Sequence, residues 1–585
     1  MNKREASAVA ARYDSSQYLR YADITAFLSA WTEIYPGLCR LESVGKSPEG
    51  REIWSVTLTN FATGEDRTKP SYHINGQHHA GEVTAGATAV YTIQYLLSNY
   101  GKDPAVTELL DTRVVYVLPR IAVDGAEWYF DHPQMLRSSP LMYPEPEEPE
   151  GLRPADINGD GMILQMRVPH PQGDWKISAK DPRLMVRRRP DDREGTFYRL
   201  YTEGVIKQRI ATGQVAESWD GRAIGTDPGG AYARERSFDF NRNYPTNWQP
   251  QHRMSGSGRY PFDRPEVRAM AEFWLAHPNI GGAISYHTRA GVNLRPSALV
   301  GDEKVNGFDL GMYKRIGEVC TRTSGYPTVS VYEYFTSDYN PEHLDVGSWL
   351  EWCYDEKGVQ GFEMELWDFP YLTGVPKRPL KELRNLSDEK REEEALLPLQ
   401  WNDRELDGKG FVPWHAFAHP QLGPVELGGW DPKFVGQNPP AKLLHQECHK
   451  ACLFTVHHAL SLPLLRIGEV RVQALGGRNY SLAVEVVNRG FLPSHVTQVA
   501  IDMKAVRPVA VSLVGPDVRV VGGRAKQELG QIHGRGSGSN PLWGGASSPV
   551  ISAWAEWVVQ GDAGARVQVV ATHDRGGTAS REVTL

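Results

Sequence analysis

Apolar and polar positions along the chain change period several times, and those changes mark its elements. From Ser15 to Pro36 apolar residues recur at helical spacing, which predicts a helix that stops at the proline. Residues Glu52 to Thr59 alternate as a strand does. Ser71 to Asn75 is strand-like, and Ala85 to Leu97 is a long apolar helix-like run. Arg113 to Leu118 has the continuous apolar character of a buried strand. Phe262 to His277 is amphipathic at helical period, with Pro265 in its first turn and Asp263 as the expected cap. Ile280 to His287 predicts a strand that ends on a histidine.

Later stretches follow the same logic. Residues 345–368 predict a helix and then a strand from Gly361 to Trp367. Glu363 and Glu365 sit two apart on that strand and so share one face. Leu444, Cys448, Cys452, Val456 and Ala459 form an apolar stripe at helical spacing within 441–460. The stripe favours core cysteines over a metal reading of the interleaved His445 and His449. Two regions break the pattern. Residues 140–235 open on a stretch rich in proline and acid, and 380–435 read as a charged, loop-rich surface extension. From Leu465 short β-rich runs with Gly, Pro and Asn turns continue to the end, which suggests a β-sandwich. The expected division is 1–463, with an insertion at about 140–235, and 464–585.

Composition narrows the class. The chain has 585 residues, 40% hydrophobic and 23% charged, with net charge −7, ordinary globular values. There is no basic cluster of the kind that binds nucleic acid, and no apolar run of about 18 residues that would span a membrane. Five cysteines, an odd and small number, argue against a disulfide framework. The N-terminal residues lack an apolar signal core, so the expected compartment is the cytoplasm, with a secreted mature form as the alternative.

Candidate chemistry lies at the ends of the predicted strands. His79 and Glu82 fall three apart on the turn between the Ser71–Asn75 strand and the next helix. Imidazole nitrogen and carboxylate oxygen both suit zinc, and a catalytic site needs three such ligands. In the first irregular region, Asp156, Asn158 and Asp160, followed by Gly161, have the spacing of the first half of an EF-hand calcium loop. Arg167 stands where the closing glutamate belongs. A calcium site completed by a distant carboxylate and an Asx-rich turn are the two readings there.

Taken in order, His79-Ala-Gly-Glu82, Asp124-Gly125, Arg137, Asp239-Phe-Asn241-Arg242-Asn243, Ser285-Tyr-His287 and Glu365-Leu-Trp-Asp368 resemble the zinc carboxypeptidases of the carboxypeptidase A (M14) family. The resemblance covers roughly residues 16–462. Singly, each motif has an ordinary reading as surface arginines or a core histidine; the joint order and spacing carry the likeness. It implies an α/β fold, a mixed eight-stranded sheet flanked by helices. It implies a metallocarboxypeptidase with Zn2+ on His79, Glu82 and His287 and water in the fourth position. Glu365 would be the general base, Arg137 would stabilise the oxyanion, and Asn241 and Arg242 would grip the free terminal carboxylate of a peptide or acyl-amino acid. Asp239 would fix the tautomer of a ligand histidine. The mobile tyrosine would be Tyr339, with Tyr334 as the alternative. Leu350 falls where the family sets side-chain preference, and it favours an apolar terminal residue. Glu363 can reach the same pocket and would attract Lys or Arg; the balance is set toward neutral or apolar.

The sequence also departs from the family pattern. His79 and His287 are further apart than the family needs, and the excess fits the 140–235 insertion. Gly81 replaces an arginine that the family often has there. Two other functions compete: a zinc amidase acting on cell-wall peptides or acyl-amino acids, and a non-catalytic binding protein with a decayed site. The complete His79, Glu82, His287 and Glu365 set stands against the second.

Overall fold

The computed structural model describes all residues except 142, 144–150, 208–237, 337–345, 379–381, 383–384 and 539–546. At its centre is a mixed eight-stranded sheet. Its strands are β1 (Cys39–Lys46), β2 (Glu52–Leu58), β3 (Ser71–Gly76), β4 (Val114–Leu118), β5 (Ile280–Thr288), β6 (Val292–Arg295), β7 (Thr328–Ser330) and β8 (Gln360–Leu366). Their order is β1-β2-β4-β3-β5-β8-β6-β7. Strands β4, β3, β5 and β8 run parallel to one another. Strand β3 lies between β4 and β5, so the chain leaves it toward one side and returns later on the other. Crevices at the carboxyl ends of strands at such a reversal are where α/β sheets place their sites.

Helices cover both faces. Helix α1 (Tyr21–Ile34), α2 (Val83–Asn99), α3 (Val123–Asp131), α4 (Pro265–Ala276), α5 (Gly307–Ser324) and α6 (Ala441–Leu460) are the main ones. Helix α2 is buried along most of its length; its threonines Thr88 and Thr92 satisfy their hydroxyls on the carbonyls of Thr84 and Thr88. It packs between the sheet and α6, where Leu444, Cys448 and Cys452 join one core with Ile74, Val117 and Phe362. All five cysteines are free and buried; for Cys448 and Cys452 the apolar stripe predicted it. Helix α4 does begin at Pro265, but Asp263 does not cap it. Arg259 takes that carboxylate instead, at 2.6 Å.

The two irregular regions proved to be one structure. Strands Gln165–Pro169, Trp175–Ile177, Met185–Arg187 and Tyr198–Thr202 join Phe411–His419 and Gly423–Trp430 in a six-stranded sheet. A helix, Asp388–Leu406, precedes the last pair. The reading of 380–435 as loop-rich extension is therefore corrected. The four strands within 165–202 have only three to five residues, and Gly423–Trp430 pairs with Gln165–Pro169 from far along the chain, a contact that local period does not encode.

After Leu464 two four-stranded sheets face each other over a core that includes Leu482, Val484, Val511, Trp557 and Val569. This is a β-sandwich. It grips the eight-stranded sheet near the start of β8. Arg575 Nη1 donates to the carbonyl of Gly358 at 2.6 Å, and Thr497 Oγ1 donates to the same oxygen at 2.6 Å. The amide of Gln498 donates to Asp309 at 2.7 Å, and Asp309 also accepts from the Tyr354 hydroxyl. Among the described residues no helix is long and apolar enough to cross a membrane.

Candidate metal and catalytic centre

Strand β3 delivers the first two side chains. Its chain turns at Gln77, whose φ of 59° lies in the left-handed region, a costly conformation for a non-glycine residue. Two bonds hold it: Gln77 Nε2 donates to the Ala80 carbonyl, and its Oε1 accepts from Arg120 Nε, both at 2.8 Å. His79 follows, and Glu82 stands at the N-terminus of α2, where the helix dipole favours a carboxylate. Asn438 Oδ1 accepts from the Thr84 amide, supplying the cap from more than 350 residues away.

Strand β5 delivers His287. His79, Glu82 and His287 are the one group of three or more metal-ligating side chains among the described residues, their ligand atoms within 4.8 Å of one another. All three are buried. Hydrogen bonds fix how the two rings present their lone pairs. Ser285 Oγ donates to Asn75 Oδ1 at 2.6 Å, so toward His287 Nε2, 2.9 Å away, it accepts. Asp239 Oδ1 accepts from His79 Nε2 at 3.0 Å. In their neutral forms both rings therefore turn an Nδ1 lone pair inward, and those nitrogens are 3.2 Å apart. Glu82 Oε1 lies 2.7 Å from His79 Nδ1, and Oε2 lies 3.0 Å from His287 Nδ1. Acceptors this close need a cation or a proton between them. The donor set, two imidazoles and one carboxylate, is that of catalytic zinc.

Charges shift accordingly. Burial works against ionised Glu82, but the rings of His79 and His287 outweigh it and hold its carboxyl well below the usual range. Burial likewise opposes a charged His287, yet Glu82 pushes it up to about 9. Asp239 is buried, which raises it, but Arg137 and His79 bring it well below its ordinary value.

The other expected residues cluster around this group. The parallel register pairs His287 with Glu365 and Ser285 with Glu363, so one strand face carries all four. Glu365 is pushed up to about 8, by burial first and then by the negative charge of Glu82. Its Oε2 is buried without a hydrogen-bond partner. Arg137 donates from Nε to Asp239 at 2.8 Å, and its Nη1 lies 3.5 Å from Glu82 Oε1. Asp239 thus links His79 to Arg137. Asn241 donates from Nδ2 to Glu363 at 3.1 Å and accepts from the Trp349 amide at 2.8 Å. Arg242 Nη1 donates to the Asn241 carbonyl. Leu350 is fully buried beside Trp349, Trp352 and Cys353.

Two expectations did not come together in the same way. Tyr339 lies outside the described residues. Tyr334 is half-buried, and its phenol is pushed up to about 12 by burial and by the charges of Asp368 and Glu365. The calcium expected at Asp156, Asn158 and Asp160 finds no support. Asp156 accepts from the Gly159 and Gly161 amides, Asn158 from the Asp160 amide, and Asp160 from the Met162 amide. Those bonds close the turn locally.

Sequence reading missed the supporting network. Asn75, Ser285, His78 and Tyr244 were given no role, yet Ser285 orients His287, and His78 Nε2 sits 3.0 Å from the Tyr244 hydroxyl. The signal was a polar residue two positions before His287 on a buried strand. Gly81 is explained by its neighbours: an added Cβ would meet Gln437 Oε1 at 2.7 Å.

Gly125 positions Arg137 in a similar way. A Cβ there would stand 2.0 Å from the Ser138 carbonyl. The same segment is held by Ala80, whose amide donates to the Arg137 carbonyl, and by Ser138 Oγ, which accepts from the Phe240 amide. We expect Gly125→Ala to cost about 1–3 kcal/mol by overpacking and to displace Arg137, lowering kcat if Arg137 acts as the resemblance implies. Thermal melts and initial rates check this; an unchanged melting temperature contradicts it.

Comparison with known proteins decides the family. Residues 24–152 and 216–390, more than half of the chain, match the family model for zinc carboxypeptidase. The chain belongs to the zinc carboxypeptidase family. Among curated proteins, carboxypeptidase D of Anas platyrhynchos is 32% identical over 107 residues, 18% of this chain and 8% of that protein. Carboxypeptidase A2 of Mus musculus is 39% identical over 90 residues, 15% of this chain and 20% of that protein. The matched stretches thus span a small part of those relatives' length. Among solved structures, thrombin activatable fibrinolysis inhibitor overlaps 78% of each chain at 15% identity, with a TM-score of 0.43. Carboxypeptidase A from Helicoverpa armigera covers 69% of this chain and 80% of its own at 14% identity, with a TM-score of 0.37. Residues 464–584 match a family described only as a domain of unknown function.

Proposed function

We propose that this protein is a zinc metallocarboxypeptidase that hydrolyses the last peptide bond of a chain with a free C-terminal carboxylate. The observation that carries the reading is the convergence of two inward Nδ1 lone pairs and the Glu82 carboxylate, with Glu365 on the adjoining strand. His79, Glu82 and His287 hold the metal. Zinc bound there supplies a Lewis acid that polarises the scissile carbonyl, lowers the pKa of water, and through its charge draws the raised Glu365 carboxyl toward its ionised form. Glu365 takes a proton from the attacking water and passes it to the leaving amine. Arg137 faces the oxygen on which negative charge develops. Asn241 and Arg242 hold the terminal carboxylate, for which the guanidinium offers a planar fork. Asp239 keeps the proton of His79 on Nε2 and so its lone pair on the metal side.

The test compares an N-blocked dipeptide with its C-terminal amide, using zinc-loaded protein. The free acid is expected to be cleaved and the amide to be cleaved at least 100-fold more slowly, about 2.7 kcal/mol of transition-state binding. Equal rates on both would show that the carboxylate is not gripped. Cleavage of neither would remove the carboxypeptidase reading.

A further inference from the structure

A short segment, Pro432 to Asn438, meets the proposed site from outside the central sheet. It follows the strand Gly423–Trp430 and precedes α6. It lies beyond residues 24–152 and 216–390, which match the family model. Three strand ends are bonded to it. Asn438 holds the turn after β3: its Nδ2 donates to the Gly81 carbonyl at 2.8 Å, and its Oδ1 accepts from the Thr84 amide at 3.1 Å and hydroxyl at 2.9 Å. The Gly436 carbonyl accepts from Arg289, just past His287 on β5, at 3.4 Å. The Val435 carbonyl accepts from the Trp367 indole, just past Glu365 on β8, at 2.8 Å.

Asn438 carries the strongest of these links. It is fully buried, and its amide is fully employed. Nδ2 also donates to the Lys433 carbonyl at 3.1 Å and lies 3.4 Å from the Tyr129 hydroxyl. The amide has one workable orientation: turned over, its nitrogen would face the Thr84 amide and its oxygen the Gly81 carbonyl. Gly81 stands between His79 and Glu82, and Thr84 follows Glu82. One side chain thus grips the chain on both sides of Glu82. The turn cannot shift against α2 without leaving a buried polar group unpaired, which is costly. The segment behind Asn438 is itself fixed. Lys433 Nζ donates to the Tyr129 carbonyl at 2.5 Å and to the His132 carbonyl. Asp431 accepts from the Lys433 and Phe434 amides at 2.8 and 2.9 Å, and the Tyr18 hydroxyl donates to the Pro439 carbonyl at 2.7 Å. Zinc affinity depends on how closely the ligands are held in place before the ion arrives.

We propose that Asn438 is a positioning residue for the metal group: it holds the turn that bears His79 and Glu82 in the binding geometry, and so sets zinc affinity without ligating the ion. This rests on the ligand assignment above, and the experiment separates the two. The measurement is the zinc dissociation constant of the full chain, by competition with a chelator, set beside the melting temperature of the metal-free protein. The variants are Asn438→Ala, Asn438→Ser, His287→Ala and Val484→Ala, the last a cavity in the core of the β-sandwich. Serine keeps a polar group in the buried position but is too short to span Gly81 and Thr84 together. Asn438→Ala and Asn438→Ser are expected to bind zinc roughly 10–100-fold more weakly than wild type. Val484→Ala is expected to melt lower with its zinc affinity unchanged. Should Asn438→Ala fail to fold, Asn438→Ser decides. Wild-type affinity in a folded Asn438 variant overturns the proposal. So does an equal loss in Val484→Ala, which would trace the weakening to lower stability alone, and so does failure of both Asn438 variants to fold, which would make Asn438 a support of the whole fold. Wild-type affinity in His287→Ala would instead remove the ligand assignment and the proposal with it.

Discussion

Glu365→Gln is expected to keep its zinc and its fold and to lose roughly 10³-fold in kcat, about 4 kcal/mol of barrier. Glutamine matches the shape of glutamate but accepts no proton from water. Glu363→Gln, on the same strand face, is expected to lose less. A dead Glu363→Gln beside an active Glu365→Gln would put the base on the other carboxylate. The raised carboxyl gives a second readout in the metal-free protein. A carboxyl near its ordinary value when unfolded and at about 8 when folded binds more protons in the native state. Its contribution to stability is present at low pH and is lost as pH climbs through 8. Metal-free Glu365→Gln should therefore be destabilised less than wild type between pH 5 and 8. Parallel melting curves for the two proteins across that range would contradict the assigned shift.

His287→Ala is expected to lose zinc and activity together. The ring supplies one of three ligand atoms, and two protein ligands hold zinc far more weakly than three. The substitution also leaves Glu82 Oε2 with only the Thr288 amide, now 3.1 Å away. Metal analysis after dialysis checks the result; full zinc occupancy in His287→Ala would sink the ligand assignment. The proton on the ring provides a further check. In the metal-free protein His287 is raised to about 9, so at pH 7 it is charged and must release a proton for a metal to bind. Adding zinc to unbuffered wild type at pH 7 should acidify the solution by about two protons per site, one from His287 and one from Glu365, and His287→Ala, which binds no zinc, should not show this.

Legibility followed sequence distance. The turn carrying His79 and Glu82 was readable because strand, turn and helix lie within thirty residues of one another. The shared face of Glu363 and Glu365 was readable from strand period alone. The link from Asp239 to His79 and Arg137 joins positions 160 and 102 apart, and only the resemblance pointed to it. Asn75 went unread, and Ser285 was read only as part of the Ser285-Tyr-His287 motif, because a polar residue in a buried strand has no local partner to announce it. The six-stranded sheet was missed for a related reason: four of its strands are short and their partners lie beyond residue 410. The expected cap at Asp263 failed because Arg259, four residues earlier, offered the carboxylate a charged partner.

The grip of Arg575 and Thr497 on Gly358 sets an order of events during synthesis. Gly358 lies just ahead of the strand that bears Glu365, and Arg575 follows it by 217 residues. At roughly 5–20 residues per second, the ribosome adds Arg575 about 10–40 s after Gly358. Through that interval the loop before the strand bearing Glu365 lacks the guanidinium that later holds its carbonyl. A nascent chain therefore carries every residue of the proposed metal group well before the support for the strand beside it has been made.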